Sequence, residues 1–409
     1  MHVIFVEPRF PANQRFFVRA LKEVGATVTA IGEGSKSSLD DEMRHLLTHY
    51  EEVHNVCDEE ALSKAVSFVQ SRAHVDRLEA TVEAHILPVA KVREKAEIPG
   101  MSYRAAYLCR DKPAMKEVLR EGGVPCAASA GASTGDDVRD FAERVGYPIV
   151  IKPRDGAGAS GATRIDDDDE LESAIAESGV EYDGVEVAVE EFIEGHEGFY
   201  DTLTLDGEVV HDFMTHYYPN VLHAMRTRWI SPQFITTNRI DTVADYDEVK
   251  EMGRKVVELL DLETTATHME WFFGPKGLKF SEIGCRPPGV RAWDLYNAAN
   301  DMDLYREWAM LICYGEPSQA PSRRYSAGII ALRPDCDGTI VGYEGVEELH
   351  RRFGHFIIDS HLPPPGTPTQ SVEAGYMANA WIRMKHENYD RLRQLLDHVG
   401  ESLQVRARP

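Results

Sequence analysis

The sequence predicts an α/β protein with three regions: an N-terminal βαβ domain, a larger central module and a small C-terminal α+β region. Residues 3–6 and 28–31 are short apolar runs typical of buried strands, and residues 13–24 between them repeat with a helical period. A strand, a helix and a second strand in this order predict a parallel sheet. A glycine-rich loop inside residues 149–165 marks the central module, because it lies between two strand-like segments.

Turn and cap signals place the other elements of the central module. Residues 110–125 predict a capped helix, with Asp111 as N-cap, Pro113 in the first turn and Gly122 at the C-terminal end. Asp206-Gly207 between two alternating segments predicts a β-hairpin. The other helices predicted in this module are 137–145 and 246–260, and the range 295–311 is mostly helical. The other predicted strands are 187–193, 269–273 and 278–283.

The predicted domain boundaries follow changes in these patterns. We place the first domain at residues 1–100 and the central module at 101–315. A proline-bounded linker at 317–321 precedes the last region, 325–409, which mixes a strand at 327–332 with a terminal helix at 389–399.

Composition limits the choice of partner and compartment. The 409 residues carry 44 Lys and Arg against 68 Asp and Glu, a formal net charge of −24. So acidic a surface argues against nucleic acid or an anionic membrane as a main partner. No apolar run approaches the roughly 18 residues of a membrane span, and residues 1–7 lack the segments of a signal peptide. The six cysteines form no C-x-x-C, so we expect a reduced, cytoplasmic protein.

The glycine-rich loop has the composition of a phosphate-binding site. Lys152 and Arg154 precede glycines at 156, 158 and 161, whose backbone N–H groups can approach phosphate oxygens closely. The same glycines spell G-x-G-x-x-G, the fingerprint of a dinucleotide-dependent oxidoreductase, but that fingerprint requires a helix directly after the loop. Here a strand-like segment follows, which favours a hairpin over a nucleotide. A hairpin without a ligand is the third interpretation.

Two carboxylates form the second candidate site. Glu270 and Glu282 lie near facing positions of a predicted strand pair, and each can bind Mg²⁺, which prefers oxygen ligands. Arg286 follows and can bind a phosphate or carboxylate with its planar fork. Taken alone, two glutamates in strands are more often surface residues.

Other polar clusters have simpler explanations. Acidic residues at a helix start account for 166–169 better than a metal cluster does. His45 and His49 lack the H-E-x-x-H pattern of a zinc site. The basic segment 221–229, with His223, Arg226 and Arg228, has two interpretations: contact with an acidic substrate, or a solvated cationic strand.

Four motifs in order resemble those of the ATP-grasp superfamily, and of its carboxylate–amine ligases in particular. They are Asp111-Lys112, the segment 149–161, the segment 189–197, and Glu270 and Glu282 with Arg286. The resemblance covers nearly the whole chain. It implies a pre-ATP-grasp domain before a two-lobed ATP-grasp module, with the lobe that carries the glycine loop at about residues 125–195.

The resemblance also implies roles for individual residues. It implies phosphate and adenine contacts by Lys112 and Lys152, adenine contacts by Glu190 and the backbone of Glu191 and Ile193, ribose contacts by Glu197, a phosphate cover of Ala159, Ser160 and Gly161, Mg²⁺ binding by Glu270 and Glu282, and stabilisation of the transferring phosphoryl group by Arg286. Family members commonly carry Asn two residues after the second glutamate, where this chain has Gly284. How a second metal ion would be held is therefore open.

The implied function is a ligase that uses ATP and Mg²⁺, with Mn²⁺ as an alternative ion. A small-molecule carboxylate would become an acyl phosphate, and an amine would convert it to an amide with release of ADP and phosphate. The rivals are a bicarbonate-activating carboxylase of the same fold, the oxidoreductase, and a nucleotide-binding protein without catalysis. A homodimer is one assembly that fits the resemblance.

Overall fold

The computed structural model describes residues 1–154 and 161–409, and it begins with a four-stranded parallel sheet of order β3–β2–β1–β4. In its first strand the apolar residues Val3 to Val6 are fully buried, as the βαβ pattern predicted. The elements are β1 (His2–Val6), α1 (Gln14–Glu23), β2 (Thr27–Glu33), α2 (Asp41–Leu46), β3 (His49–Val53), α3 (Glu59–Gln70), β4 (Arg77–Glu79) and α4 (Glu83–Lys95).

A small antiparallel sheet of order β5–β8–β6–β7 carries the strands on either side of the glycine loop. The segment after the loop is a strand, which opposes the dinucleotide interpretation. The elements are α5 (Tyr103–Leu108), α6 (Lys112–Glu121), β5 (Ser129–Ala132), α7 (Gly135–Val145), β6 (Ile149–Pro153), β7 (Thr163–Ile165), α8 (Asp168–Ser178) and β8 (Val187–Glu191). Asp111 accepts a hydrogen bond from the Ala114 N–H, as its predicted N-cap role requires.

An eight-stranded antiparallel sheet of order β13–β12–β9–β10–β11–β14–β17–β16 forms the centre of the protein, beside a two-stranded sheet, β15–β18. The elements are β9 (His196–Leu205), β10 (Glu208–Tyr218), α9 (Val221–Ala224), β11 (Gln233–Thr236), α10 (Asp245–Leu259), β12 (Ala266–Gly274), β13 (Gly277–Gly284), α11 (Ala292–Asn300), α12 (Leu304–Tyr314), β14 (Ser326–Leu332), β15 (Thr339–Glu344), α13 (Val346–Phe353), β16 (Ile357–His361), β17 (Ala380–His386), α14 (Tyr389–Ser402) and β18 (Gln404–Arg408). Short 3₁₀ turns lie at Lys36–Ser38, Gly354–Phe356 and Val372–Ala374.

Three details of the large sheet bear on the predictions. The β9–β10 turn places Asp206 and Gly207 at φ 49° and 85°, as the predicted hairpin turn requires. The range 295–311, predicted to be mostly helical, contains parts of two helices, which are separated at Asp301 with its left-handed φ of 51°. Strands β14, β16 and β17 extend the sheet that carries the glutamates, so the last region shares this sheet. The predicted domain boundaries stay predictions.

An aromatic cluster joins the first sheet and α1 to helix α12, and Phe17 also contacts Trp293 of α11 at a ring-centre distance of 5.2 Å. Phe17 of α1 packs edge-on against Tyr305 and Trp308, at ring-centre distances of 4.9 and 5.2 Å, and Phe5 of β1 contacts Trp308 as well. Such buried rings contribute strongly to packing between elements. Within the described ranges, no helix is long and apolar enough to cross a bilayer.

Candidate active site

A cleft of about 520 Å³ opens between the small sheet and the eight-stranded sheet. One wall comes from β6, β7 and the end of β8, and the other from β9, β10, β12 and β13. The segment after β10 closes one side, and its Arg226 donates a hydrogen bond to the Ala162 carbonyl beside the glycine loop. The lining includes Lys152, Glu190, Glu191, Ile193, Glu197, Glu270 and Glu282.

A triad of Lys116, Lys152 and Glu190 lies at the wall of the cleft that the small sheet forms. The Glu190 carboxylate lies 2.6 Å from Lys152 Nζ and 2.8 Å from Lys116 Nζ, and both Glu190 and Lys116 are almost wholly buried. Burial raises the pKa of Glu190, but the two lysines outweigh it and lower the value to about 2. The triad therefore keeps one net positive charge inside the cleft, which suits a polyphosphate.

Glu270 and Glu282 are direct register partners across the β12–β13 pair, so their side chains share one face of the sheet. Lys112, at the start of α6, lies with its Nζ 3.4 Å from Glu282 Oε2. In residues 1–154 and 161–409, no group of three or more acidic, histidine or cysteine side chains is gathered to hold a metal ion. Two carboxylates fit Mg²⁺ all the same, because this ion usually takes few protein ligands and completes its shell with phosphates and water.

Glu197 faces the carboxylate pair and is strongly affected by it. Burial, and then the charge of Glu270, raise the pKa of Glu197 to about 8, although the Val221 N–H donates to its Oε2 at 2.7 Å. The raised pKa favours the protonated form of this side chain. It can then donate a hydrogen bond as well as accept one, which suits a hydroxyl-bearing ligand.

Buried hydrogen bonds among Tyr296, Asp201 and His268 place the His268 ring beside Glu270. His268 Nδ1 lies 2.7 Å from Asp201 Oδ1, and the Tyr296 hydroxyl donates to the other carboxylate oxygen of Asp201. Burial lowers the pKa of His268, but Asp201 outweighs it and raises the value to about 9. His268 Nε2 lies 3.7 Å from Glu270 Oε1, so a cationic ring stands behind this carboxylate.

Arg286 lies on the far side of Glu282 and is held by Glu83, the first residue of α4. Its Nε donates to Glu83 Oε2 and its Nη1 donates to the Pro287 carbonyl at 2.8 Å. Arg110 Nη1 donates to the other oxygen of Glu83 at 2.7 Å. Burial lowers the pKa of Arg286, and Glu83 outweighs it with a net rise, so the guanidinium stays charged. These groups surround a second cavity of about 20 Å³, with room for one small molecule such as water.

The structure gathers most of the predicted site residues. Lys112 and Arg286 border the small cavity, and the cleft is lined by Lys152, Glu190, Glu191, Ile193, Glu197, Glu270 and Glu282, whereas Gly161 is not among the lining residues. Ala159 and Ser160 lie outside the described residues. Gly161 has φ 72°, and a Cβ there would lie 3.0 Å from Pro153 Cγ, so both backbone and space favour glycine.

Sequence reasoning missed several residues and misplaced one segment. Lys116 sits one helical turn after Lys112 on the same face, a spacing that could have indicated it. Nothing local in the sequence pointed to Asp201, Tyr296 or Glu83, because their partners are distant along the chain. Of the two interpretations of 221–229, the cationic strand is wrong, because Asn220 leads into the short helix α9 and a loop follows, whereas contact with an acidic substrate stays a prediction.

Comparison with known proteins agrees with this geometry. The sequence model of the family described as Carbamoyl-phosphate synthase L chain, ATP binding domain, matches residues 111–206. The chain is 25% identical over 311 residues to alanine–anticapsin ligase of Bacillus subtilis strain 168, covering 70% of this chain and 64% of that protein. It is also 25% identical over 316 residues to an L-arginine-specific L-amino acid ligase of Bacillus subtilis, covering 76% and 75%.

The crystal structure of an L-amino acid ligase from Bacillus licheniformis superposes with a TM-score of 0.77. The two chains are 17% identical, and the match covers 100% of this chain and 99% of that one. Residues 111–206 therefore match an ATP-binding domain, and the whole chain shares its fold with that ligase, with the matched region between an N-terminal parallel sheet and C-terminal strands. The predicted fold and the predicted resemblance to carboxylate–amine ligases are confirmed.

Proposed function

We propose that the chain is an ATP-dependent ligase that joins a carboxylate to an amine. A carboxylate oxygen attacks the γ-phosphorus of ATP, the bond from that phosphorus to the bridging oxygen breaks, and ADP leaves. The amine nitrogen then attacks the acyl carbon, loses a proton and expels phosphate, which leaves an amide. The observation that carries the proposal is the direct pairing of Glu270 with Glu282 in a cleft that also holds the net positive charge of the Lys116, Lys152 and Glu190 triad.

The cleft supports this assignment through the order of its groups. In the proposal, the backbone of Glu191 and Ile193 holds adenine, Glu197 holds the ribose hydroxyls, and Lys152 contacts a phosphate. A bound phosphate would draw Lys152 away from Glu190, and Lys116 would then remain as the counter-ion of that carboxylate. Each of these contacts is a charge-assisted or geometrically fixed hydrogen bond.

Glu270 and Glu282 would hold Mg²⁺, or Mn²⁺ in its place, and this ion would neutralise charge on the phosphates. His268 holds Glu270 in place through its cationic ring, since Asp201 and Tyr296 restrict its movement. Arg286 and Lys112 border the small cavity beside Glu282, where they would stabilise charge that develops during phosphoryl transfer.

The substrate class is proposed from the relatives. Both named relatives are ligases for amino acids, and one is specific for L-arginine. We therefore propose that one substrate, or both, is an amino acid. A cytoplasmic location and a homodimer are further proposals, which size measurement and cell fractionation would test.

A substrate screen tests the proposal directly. Purified chain is mixed with ATP, Mg²⁺ and pairs of amino acids, and ADP, AMP and amide are quantified. We expect ADP release that requires both substrates and disappears in Glu282→Gln, whereas Glu208→Gln, an exposed glutamate on β10, retains it. AMP with pyrophosphate, or ADP release that needs bicarbonate and forms no amide, would contradict the proposal.

A further inference from the structure

The glycine at 284 stands where related enzymes commonly carry a side chain, and the structure shows what fills that space. A Cβ built at Gly284 would lie 3.3 Å from Glu83 Oε2 and 3.6 Å from Arg286 Cγ. Gly284 has no left-handed φ, so its backbone would accept any residue. A side chain at 284 would therefore be limited by the space that Glu83 and Arg286 occupy and not by the backbone conformation.

Glu83 comes from the N-terminal part of the chain but ends beside the candidate phosphoryl site. Its two carboxylate oxygens accept from Arg110 Nη1 and Arg286 Nε, and all three side chains are mostly buried. A second bond, from Arg286 Nη1 to the Pro287 carbonyl, fixes another point of the planar guanidinium. Neither of these two contacts uses Nη2, which is the nitrogen of the planar fork that we assign to a substrate oxygen.

We propose that Glu83 is a positioning residue for Arg286, and that glycine at 284 is what lets the Glu83 carboxylate reach it. This inference rests on the proposed function, because it assigns Glu83 an effect on phosphoryl transfer through Arg286. A larger residue at 284 would push against Glu83 Oε2 and turn the fork. Asparagine at 284 would therefore disturb Arg286 instead of simply supplying a metal ligand.

A kinetic double-mutant cycle tests the inference. Glu83→Gln keeps the size of the side chain but removes its charge, and we expect kcat to fall about 10- to 100-fold, the range for residues that orient a catalytic group. The KM for ATP should not change, since Glu83 borders the small cavity and is not among the described residues that line the cleft. In the Arg286→Lys background the same change should have little further effect. An equal fold-loss in both backgrounds would overturn the inference, because Glu83 would then act independently of Arg286.

Substitution of Gly284 gives a second test of the inference. Gly284→Asn should lower kcat without tightening Mn²⁺ binding, measured by electron paramagnetic resonance of the ion. Gly342→Ala on β15 is the matched control, since a Cβ there meets nothing within 4 Å, and it should behave as wild type. Tighter Mn²⁺ binding with full turnover in Gly284→Asn would show that Glu83 does not need this space.

The pair can also be tested without turnover. Urea unfolding of the ligand-free wild type, Glu83→Gln, Arg286→Lys and the double variant should show non-additive shifts of the midpoint. Additive shifts would overturn the Glu83–Arg286 pair even if the chain proves to be a ligase. Coupled shifts in a chain that releases no ADP with any substrate would support the pair and contradict only the proposed function.

Discussion

Replacement of Glu190 by Gln should destabilise the protein more than any exposed substitution. The change leaves the buried Lys116 and the partly buried Lys152 without their shared counter-charge. The pKa of Glu190 is lowered from 4.5 to about 2, and at 1.36 kcal/mol per pKa unit this shift corresponds to about 3 kcal/mol at pH 7. Loss of one partner of a buried ion pair costs a similar amount, about 3–5 kcal/mol. Urea unfolding at pH 7 measures the difference.

The difference in unfolding free energy between wild type and Glu190→Gln should also depend on pH in a defined direction. A carboxylate with a lowered pKa contributes stability above its unfolded value of 4.5, and this contribution is lost as the pH falls towards 2. The gap between wild type and Glu190→Gln should therefore be full at pH 7 and shrink below pH 4.5. Glu191→Gln is the control, because Glu191 pairs with the exposed Lys276 and should cost less than about 1 kcal/mol. Equal losses in the two variants would refute the reasoning.

Three further predictions concern the cleft and its support. The pKa of His268 is raised from 6.5 to about 9, so wild type should exceed His268→Gln in unfolding free energy below pH 6.5, and this advantage should fade as the pH rises through 9. Lys152→Ala should weaken ATP binding about 10- to 100-fold in calorimetry, the equivalent of one charge-assisted hydrogen bond of about 1.5–3 kcal/mol, whereas the exposed Lys36→Ala should not. Glu282→Gln should nearly abolish turnover while the chain stays folded by circular dichroism, because a neutral amide is a poor ligand for Mg²⁺.

Local signals were enough to predict the elements that hold the site. The hairpin around the glycine loop follows from two short apolar segments, 149–151 and 163–165, which pair antiparallel in the structure. Glu270 and Glu282 face each other because their strands are joined by a short turn, which leaves little freedom in the register. The cap at Asp111 was likewise visible in the sequence, since capping depends on neighbours along the chain.

Contacts between distant parts of the chain could not be predicted in this way. His268 reaches Asp201 across 67 positions and Glu83 reaches Arg286 across 203, and no periodicity encodes such pairs. A cationic strand was one interpretation of the segment 221–229, but the structure gives it a short helix and a loop, which donate hydrogen bonds to Glu197 and to the Ala162 carbonyl. Tertiary partners thus overrode a local pattern.

The central claim is that a carboxylate is activated as an acyl phosphate before it meets the amine. The most direct measurement follows ¹⁸O from a labelled carboxylate substrate into inorganic phosphate during amide formation, with phosphate analysed by mass spectrometry. The proposed reaction predicts one labelled oxygen in phosphate for each amide formed, with ADP as the other product. Amide formation with unlabelled phosphate, or with AMP and pyrophosphate, would contradict it.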